Sequence, residues 1–466
     1  MTTRSFIFLV SYIICNMIGL IAQPSSEKMN FIIIFADDLG YGDLGCYGHP
    51  TMETPNLDQM AREGQRWTNF YSASSVCTPS RAALMTGRLP VRSGMCSNKS
   101  RVLFPNSVNG LPQSEITLAE QLKEVGYATA CIGKWHLGHH EQYLPTNNGF
   151  DYYFGIPYSN DMDFVGKKRY REIMNNPDSI LVADFNVPLL RNTEEIERPA
   201  NQHIITRRYS EEAVAFIQEH AEEPFFIYLA HNLPHIPLFV SDDFEGKTSR
   251  GLYGDVLAEI DDGVGKIRRA LEEEGLADNT LVVFTSDNGP WLPFKTHGGS
   301  AGLLRAGKGT TWDGGMREPG IFWSPGNIKP AVIQELGSTM DLFTTFSKLA
   351  GVSIPNDRVI DGVNLSPTLF EGKASPRQGV LFYRGPELYA ARLGEYKAHF
   401  ITEGEYGQFG EREEHEVPLL YNLQEDPSEQ FDIAETHPEV LEQIAEFVAR
   451  HQQELQVGKD QLAERE

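Results

Sequence analysis

The chain has 466 residues, 41% of them hydrophobic and 11% aromatic, which places it among ordinary globular proteins and excludes a disordered chain. Lys and Arg number 40 against 64 Asp and Glu, a formal net charge of −24, so nucleic acid and anionic membrane surfaces are excluded as general partners. A polyanionic ligand would be repelled at long range unless a local basic pocket offset the repulsion.

Residues 6–22 form an almost continuous apolar run after Arg4, followed by Gln23-Pro24-Ser25-Ser26. This pattern predicts a secretory signal over 1–22, cleaved near Ala22. The run is short for a membrane span and is interrupted by Ser11, Cys15 and Asn16. No later stretch is long and apolar enough to cross a bilayer, so no stable membrane association is expected. Cys46, Cys77, Cys96 and Cys131 remain outside the signal, too few for a disulfide framework in a chain this long. Asn98-Lys99-Ser100 and Asn364-Leu365-Ser366 match the glycosylation pattern, the second weakened by Pro367.

Met29 to Ala36 is a continuous β-branched and aromatic run that predicts a strand buried on both faces, ending in Asp37-Asp38. Helices are predicted from Thr54 to Ala61 and from Thr117 to Val125, then a strand from Tyr127 to Gly133 that ends in Lys134 and His136. Residues from about Tyr158 to Pro199 read as irregular. A helix from Arg208 to His220 leads to a strand from Pro224 to Ala230, ending in His231 and His235. A helix from about Tyr253 to Glu274 precedes a fourth strand, Thr280 to Ser286, ending in Asp287-Asn288.

This alternation predicts an α/β domain over 27–360, a large mixed, mostly parallel sheet with helices on both faces. After about Asp361, short alternating strands near 379–383, 389–393, 396–400 and 418–422 precede an amphipathic helix from Pro438 to Glu454. They predict a smaller α+β domain over 361–466 with an antiparallel sheet.

In parallel sheets the ligand site lies beyond the carboxyl ends of the strands. Four such ends carry polar clusters: Asp37 and Asp38; Lys134 and His136; His231 and His235; Asp287 and Asn288. Each pair alone suits a solvated loop, but four on one edge point to a shared site. Three carboxylates and an amide suit Ca²⁺ or Mg²⁺ better than zinc. Lys134, His136, His235, Arg81 and Lys308 add positive charge and proton transfer, a set suited to hydrolysis or transfer of a sulfate or phosphate ester.

The stretch from Val76 to Gly87 reads as a short helix, with Pro79 in its first turn and Gly87 as its stop. Cys77 then lies just before a helix N-terminus, where backbone N–H groups favour anions. From this stretch alone, a reactive precursor and a small buried hydrophobe fit Cys77 equally well.

Cys77-x-Pro79-Ser80-Arg81, followed by Leu84, Thr86 and Gly87, resembles the signature of the sulfatase family. Ala36-Asp37-Asp38-Leu39-Gly40, Gly133-Lys134-Trp135-His136, Ser286-Asp287-Asn288-Gly289, Gly307-Lys308-Gly309-Thr310-Thr311, Met340-Asp341-Leu342-Phe343 and Lys397-Ala398-His399-Phe400 match in family order. The resemblance implies an alkaline-phosphatase-like fold and oxidation of Cys77 to Cα-formylglycine by the formylglycine-generating enzyme. It implies Ca²⁺ held by Asp37, Asp38, Asp287, Asn288 and the modified Cys77, with Arg81 steadying the aldehyde hydrate. One hydroxyl of the hydrate would attack sulfur, with His235 and Lys308 assisting the leaving oxygen and Lys134 binding the sulfate. His136 would take a proton from the second hydroxyl to expel sulfate. Ser159 matches a serine on the substrate side.

The implied substrates are aryl or carbohydrate sulfate esters, and the implied location is lysosomal or extracellular, with homodimerisation left open. A phosphodiesterase or phosphonate hydrolase, and a secreted binding protein that keeps the fold, are the alternatives. Glu403 to Glu416 is acidic and departs from the family pattern in a region that flanks substrate. His231 has no assigned role and reads as a loop histidine.

Overall fold

A computed structural model of the protein describes residues 28–166, 172, 176, 179–405 and 407–466. The expected signal lies outside the described residues. The centre of the main sheet is strand β1 (Asn30–Ala36), every residue of which is buried. Its side chains alternate between two cores. Ile32, Ile34 and Ala36 join a cluster with Val256, Ile260 and Ile267 of the Leu252–Glu273 helix on one face. Phe31, Ile33 and Phe35 join another with Leu84, Leu122 and Phe346 on the opposite face. A strand that packs on helices from both sides needs an unbroken apolar run, and Asn30-Phe31-Ile32-Ile33-Ile34-Phe35-Ala36 supplies one.

The remaining strands are β2 (Gln65–Tyr71), β3 (Ala128–Gly133), β4 (Tyr152–Gly155), β5 (Leu189–Arg191), β6 (Glu194–Glu197), β7 (Phe225–Ala230), β8 (Thr280–Ser286), β9 (Arg317–Trp323) and β10 (Ala331–Ser338). Together they form a ten-stranded sheet in the order β10-β2-β9-β8-β1-β7-β3-β4-β5-β6. The sheet is mixed. Five neighbouring pairs are parallel, including the central run β8-β1-β7-β3-β4. Four are antiparallel and lie toward the flanks.

The strands that the hydrophobic pattern does not reveal are those at the flanks. β2 reads Gln65-Arg66-Trp67-Thr68-Asn69-Phe70-Tyr71, and its polar groups are absorbed sideways: Thr68 Oγ1 donates to Ile333 O at 3.2 Å and Asn69 Nδ2 to Gln334 O at 2.7 Å. β5 and β6 lie within the stretch that reads as irregular and are only 3 and 4 residues long.

A second sheet of β11 (Gly379–Arg384), β12 (Glu387–Leu393), β13 (Tyr396–Thr402) and β14 (Glu413–Asn422) is antiparallel throughout, in sequence order. β14 begins five residues before the expected strand at 418. The Pro438–Glu454 helix packs Ile444 and Val448 against Ala391, Ala398 and Leu420 of this sheet.

The second sheet is bolted to the first by buried charge. Lys397 Nζ, on β13, donates to Asp313 Oδ1 and to Thr311 O, each at 2.8 Å, and lies 3.0 Å from Glu429. The Asp313 amide donates to Glu429 Oε2 at 2.8 Å, and Tyr71 Oη donates to Asp313 Oδ2 at 2.8 Å. Lys397, Asp313 and Glu429 side chains are fully buried, so removing one partner strands uncompensated charge. Lys397→Met is expected to destabilise the protein by about 3–5 kcal/mol, read as a lowered urea midpoint. A midpoint within error of the wild type would show that the network does not hold the sheets together.

Candidate active site

The register of the central strands brings their ends level. Ala36 pairs with Ser286, Phe35 with Ala230, and Gly133 with Ala230. The residues that follow, Asp37, Asp287, His231 and Lys134, therefore emerge together on one edge. β4 is parallel to β3, so Ser159 follows it onto the same edge. β2 is antiparallel to β9, which is antiparallel to β8, so β2 also points its carboxyl end there. The loop after β2 delivers Cys77.

Cys77 opens the Cys77–Thr86 helix and is itself the first helical residue, one place further in than the sequence suggests; Gly87, at φ +67°, ends the helix as expected. Every residue of this helix is buried. Cys77 Sγ lies 3.5 Å from Asp37 Oδ1 and 3.5 Å from Lys308 Nζ. Burial pushes the Cys77 thiol above its ordinary range, against the pull of Lys134 and Lys308, so as a thiol it is poorly ionised.

Arg81, one turn on, is fully buried and occupied on every side. Its Nε and Nη2 donate to Asp287 Oδ2 at 3.0 and 2.8 Å, and its Nη1 donates to Lys134 O at 2.9 Å. It lies 3.6 Å from Asp37 Oδ1 and stacks 5.4 Å from the Phe35 ring centroid. Lys134 Nζ donates to Asp37 Oδ2 at 2.5 Å and to Ser159 Oγ at 3.2 Å. Lys308 Nζ donates to both Asp38 oxygens at 2.7 Å. Asn288 Nδ2 donates to Asp38 Oδ1 at 2.7 Å. Asp287 Oδ1 accepts the Asp38 amide at 3.1 Å.

Three buried carboxylates thus face three buried cations. Burial opposes ionisation of Asp37, but Lys134, His235, Arg81 and Lys308 outweigh it and hold its carboxyl well below the usual range. Asp38 is pushed up to about 7 by burial and by the charges of Asp37 and Asp287, with Lys308 opposing. Asp287 is raised by burial and by Asp37. Raised carboxyls side by side mark a place where added positive charge is favoured. Asp37, Asp38, Cys77 and His235 offer ligand atoms within 4.8 Å of one another. Asn288 Oδ1 is buried without a hydrogen-bond partner among the described residues. Oxygen donors with an orphaned amide carbonyl fit a hard dication. The four-atom group includes His235, absent from the ligand set that the sequence suggests.

The two histidines have defined faces. His136 Nε2 lies 2.9 Å from Leu103 O, which can only accept, so Nε2 carries the proton and the buried Nδ1 presents a lone pair. His235 Nδ1 is similarly committed to Ile236 O, leaving Nε2 facing Asp38 Oδ2 at 3.6 Å. Burial and nearby lysines, Lys134 for His136 and Lys308 for His235, hold both rings neutral well below the ordinary histidine range. Asp38 and His136 have φ of +61° and +59°, backbone strain tolerated where it aims functional groups. His231 is buried beside Tyr209, apart from this cluster, and burial pushes its pKa down to about 4.

A cleft of about 470 Å³ opens above Cys77, with His136, Ser159, His235 and Lys308 in its walls. The sequence reading missed the apolar residues that complete it, among them Phe104, Met162, Phe164 and Trp291. Trp291 lies 5.3 Å from the His235 ring, and Lys308 Nζ lies 4.4 Å from the Trp291 ring centroid. Its position four residues after Asp287 was the available signal. Arg101 and Asp161 also line the cleft.

Residues 29–352 match the family model described as Sulfatase, and residues 375–466 match the C-terminal region of aryl-sulfatase. The chain belongs to the sulfatase family. N-acetylgalactosamine-6-sulfatase of Mus musculus is 40% identical to this sulfatase over 489 residues, covering 97% of the chain and 91% of that protein. Arylsulfatase A of Homo sapiens is 43% identical over 448 residues, covering 90% and 86%. Among solved structures, PsFucS1 sulfatase from Pseudoalteromonas sp. is 29% identical with a TM-score of 0.81, covering 93% of each chain. This sulfatase is therefore an enzyme of sulfate ester hydrolysis on an alkaline-phosphatase-like scaffold.

Gly133 is a tight joint in this sulfatase's site. It has φ +113°, and a Cβ there would lie 1.9 Å from Ala230 O, the atom that accepts the Lys134 amide at 2.7 Å. Gly133→Ala is expected to destabilise the fold by roughly 2–4 kcal/mol and to lower kcat by displacing Lys134. Thermal unfolding and steady-state rates on an aryl sulfate check both; unchanged values in both would show that the backbone there gives way freely.

Proposed function

We propose that this chain hydrolyses aryl or carbohydrate sulfate esters through a formylglycine generated from Cys77 by the formylglycine-generating enzyme, with Ca²⁺ held beside it. The observation that carries this reading is the seat of Cys77: first residue of a buried helix, 3.5 Å from both Asp37 and Lys308, at the floor of the cleft. Asp37, Asp38, Asp287 and Asn288 would hold the ion together with the modified Cys77, and His235 stands close enough to join them. Bound there, formylglycine supplies a hydrated aldehyde as nucleophile, and Ca²⁺ supplies charge neutralisation for the sulfate oxygens.

The remaining work falls to the protein's own side chains. Lys134 and Lys308 would place two ammonium groups on the sulfate, Lys308 Nζ lying 3.5 Å from Cys77 Sγ and Lys134 Nζ beside Asp37 and Ser159. Arg81 is too fully engaged to move and fixes Asp287 and the first turn of the helix. His136, with its proton on Nε2, offers Nδ1 as the base that removes a proton at Cys77. His235 has its proton on Nδ1, so Lys308 Nζ is the proton donor to the leaving oxygen and His235 Nε2 orients it. Ser159 Oγ supports Lys134 from the substrate side. The catalytic domain would span 27–360 and the smaller domain 361–466. Secretory targeting by the segment 1–22 would place the enzyme in a lysosome or outside the cell.

Peptide mass spectrometry across residues 77 to 81, on protein from a secretory host, is expected to show an aldehyde or its hydrate in place of the thiol. Cys77→Ala is expected to lower sulfate release from 4-nitrophenyl sulfate by more than about 10³-fold. Fully active protein with an unmodified thiol would sink the proposal. Chelation with EGTA is expected to lower the melting temperature and the rate together, with Ca²⁺ restoring both, because an ion bound only by the folded state stabilises it by mass action. A melting temperature indifferent to both treatments would remove calcium from the reading.

A further inference from the structure

Two carboxylates line the cleft within a few residues of Ser159, and the structure treats them differently. Asp163 is committed: its Oδ2 accepts from Arg198 Nη1 at 3.0 Å and from Asn186 Nδ2 at 3.3 Å. Asp161 is half-buried, and its Oδ1 is shielded from solvent without a hydrogen-bond partner among the described residues. It shares the cleft with Cys77, His136, His235 and Lys308, so a substrate whose ester reaches Cys77 has its leaving group within this cavity. Ser159, whose Oγ accepts from Lys134 Nζ at 3.2 Å, stands beside Asp161. Burial pushes the Asp161 carboxyl above its ordinary range, with Lys134, Lys308 and Ser159 opposing.

A buried acceptor without a donor costs free energy until a ligand supplies one. Away from the catalytic groups the walls are largely apolar, with Phe104, Met162, Phe164 and Trp291, and Arg101 among them is paired with Glu405. The cavity thus combines flat apolar surface with one unsatisfied acceptor oxygen, Asp161 Oδ1, in the same cleft as Cys77. A sugar ring matches both, with C–H faces for the aromatic walls and hydroxyl donors at its rim. An aromatic leaving group would fill the apolar part but bring no donor to Asp161. A second sulfate or a carboxylate placed against Asp161 would meet its charge unfavourably, and the cleft's Arg101 already pairs with Glu405.

We propose that Asp161 is a specificity-determining residue that accepts a hydrogen bond from a free hydroxyl adjacent to the scissile sulfate, selecting neutral sugar mono-sulfates over aryl sulfates. The proposal rests on the sulfatase reading of the Cys77 site. It differs from that reading in naming the leaving group and the residue that recognises it.

The test compares kcat/KM for 4-nitrophenyl sulfate, for the best substrate in a panel of hexose and N-acetylhexosamine mono-sulfates, and for that sugar's analogue lacking the adjacent hydroxyl. All are followed by ion-chromatographic sulfate release. Asp161→Ala is expected to lower the ratio of sugar to aryl kcat/KM by about 10–100-fold, the range for losing a charged hydrogen-bond acceptor. Asp161→Asn, which keeps an acceptor, should lower it less. With the deoxy analogue, Asp161→Ala should cost little more than it costs on the aryl ester, because the donor is already gone.

Equal losses on sugar, deoxy sugar and aryl sulfate would show that Asp161 only supports Ser159 and Lys134, and would overturn the proposal. A wild-type enzyme active on aryl sulfate and on none of the sugar panel would also overturn it, leaving the sulfatase reading intact. Wild-type protein carrying the modified Cys77 yet inactive on every ester would instead defeat the sulfatase reading itself.

Discussion

The structure depends on keeping Asp37, Asp38 and Asp287 buried together at the end of parallel strands. Three carboxylates cannot share a water-excluded pocket unless positive charge is built in around them. Arg81, Lys134 and Lys308 provide it, each from a different segment of the chain. The cluster is therefore closed only when the strand ends, the Cys77 helix and the loop between β8 and β9 are all in place. Stability and site assembly are one problem here, and the apolar strands on both faces supply the free energy that holds the charges in position.

That arrangement also explains why Cys77 is poorly suited to act as a thiol. Its helix N-terminus and two lysines favour an anion, yet burial among carboxylates holds the thiol protonated. A group that presents oxygen rather than sulfur suits the same surroundings better, since its hydroxyls can donate to the carboxylates and accept from the lysines. Arg81 serves this surrounding indirectly, because its guanidinium spends its donors on Asp287, Lys134 O and Tyr228 and so locks the floor of the cleft.

Much of this was legible in the sequence because polar residues at the ends of apolar runs mark strand termini. Asp37-Asp38, Lys134, His235 and Asp287-Asn288 all follow strands whose interiors are mostly hydrophobic, broken only by Thr129 in β3 and Thr285 in β8. What was hidden lay where tertiary contacts replace hydrophobic pattern. β2 carries Arg66, Thr68 and Asn69, whose side chains bond to neighbouring backbone, so it does not read as a buried strand although it delivers Cys77. The flank strands β9 and β10 were hidden for the same reason, since they show no clean periodicity. Trp291 and Asp161 are single residues in loops, and only the folded cleft shows that they face Cys77's surroundings. The acidic stretch from Glu403 looked alien to a substrate-binding region. Folded, Glu405 pairs with Arg101 and Arg384, neutralising charge at the cleft's edge.

The Lys397–Asp313–Glu429 network reaches further than the joint it makes. Thr311 lies in the same loop as Lys308 and Asp313 opens the short helix that follows it, and their positions are set by a lysine on the second sheet and a glutamate beyond it. The smaller sheet is thus part of the footing on which the larger sheet's lysine stands. The two halves are therefore mechanically coupled: a change in the second sheet that moves Lys397 is passed through Thr311 and Asp313 to the segment that carries Lys308.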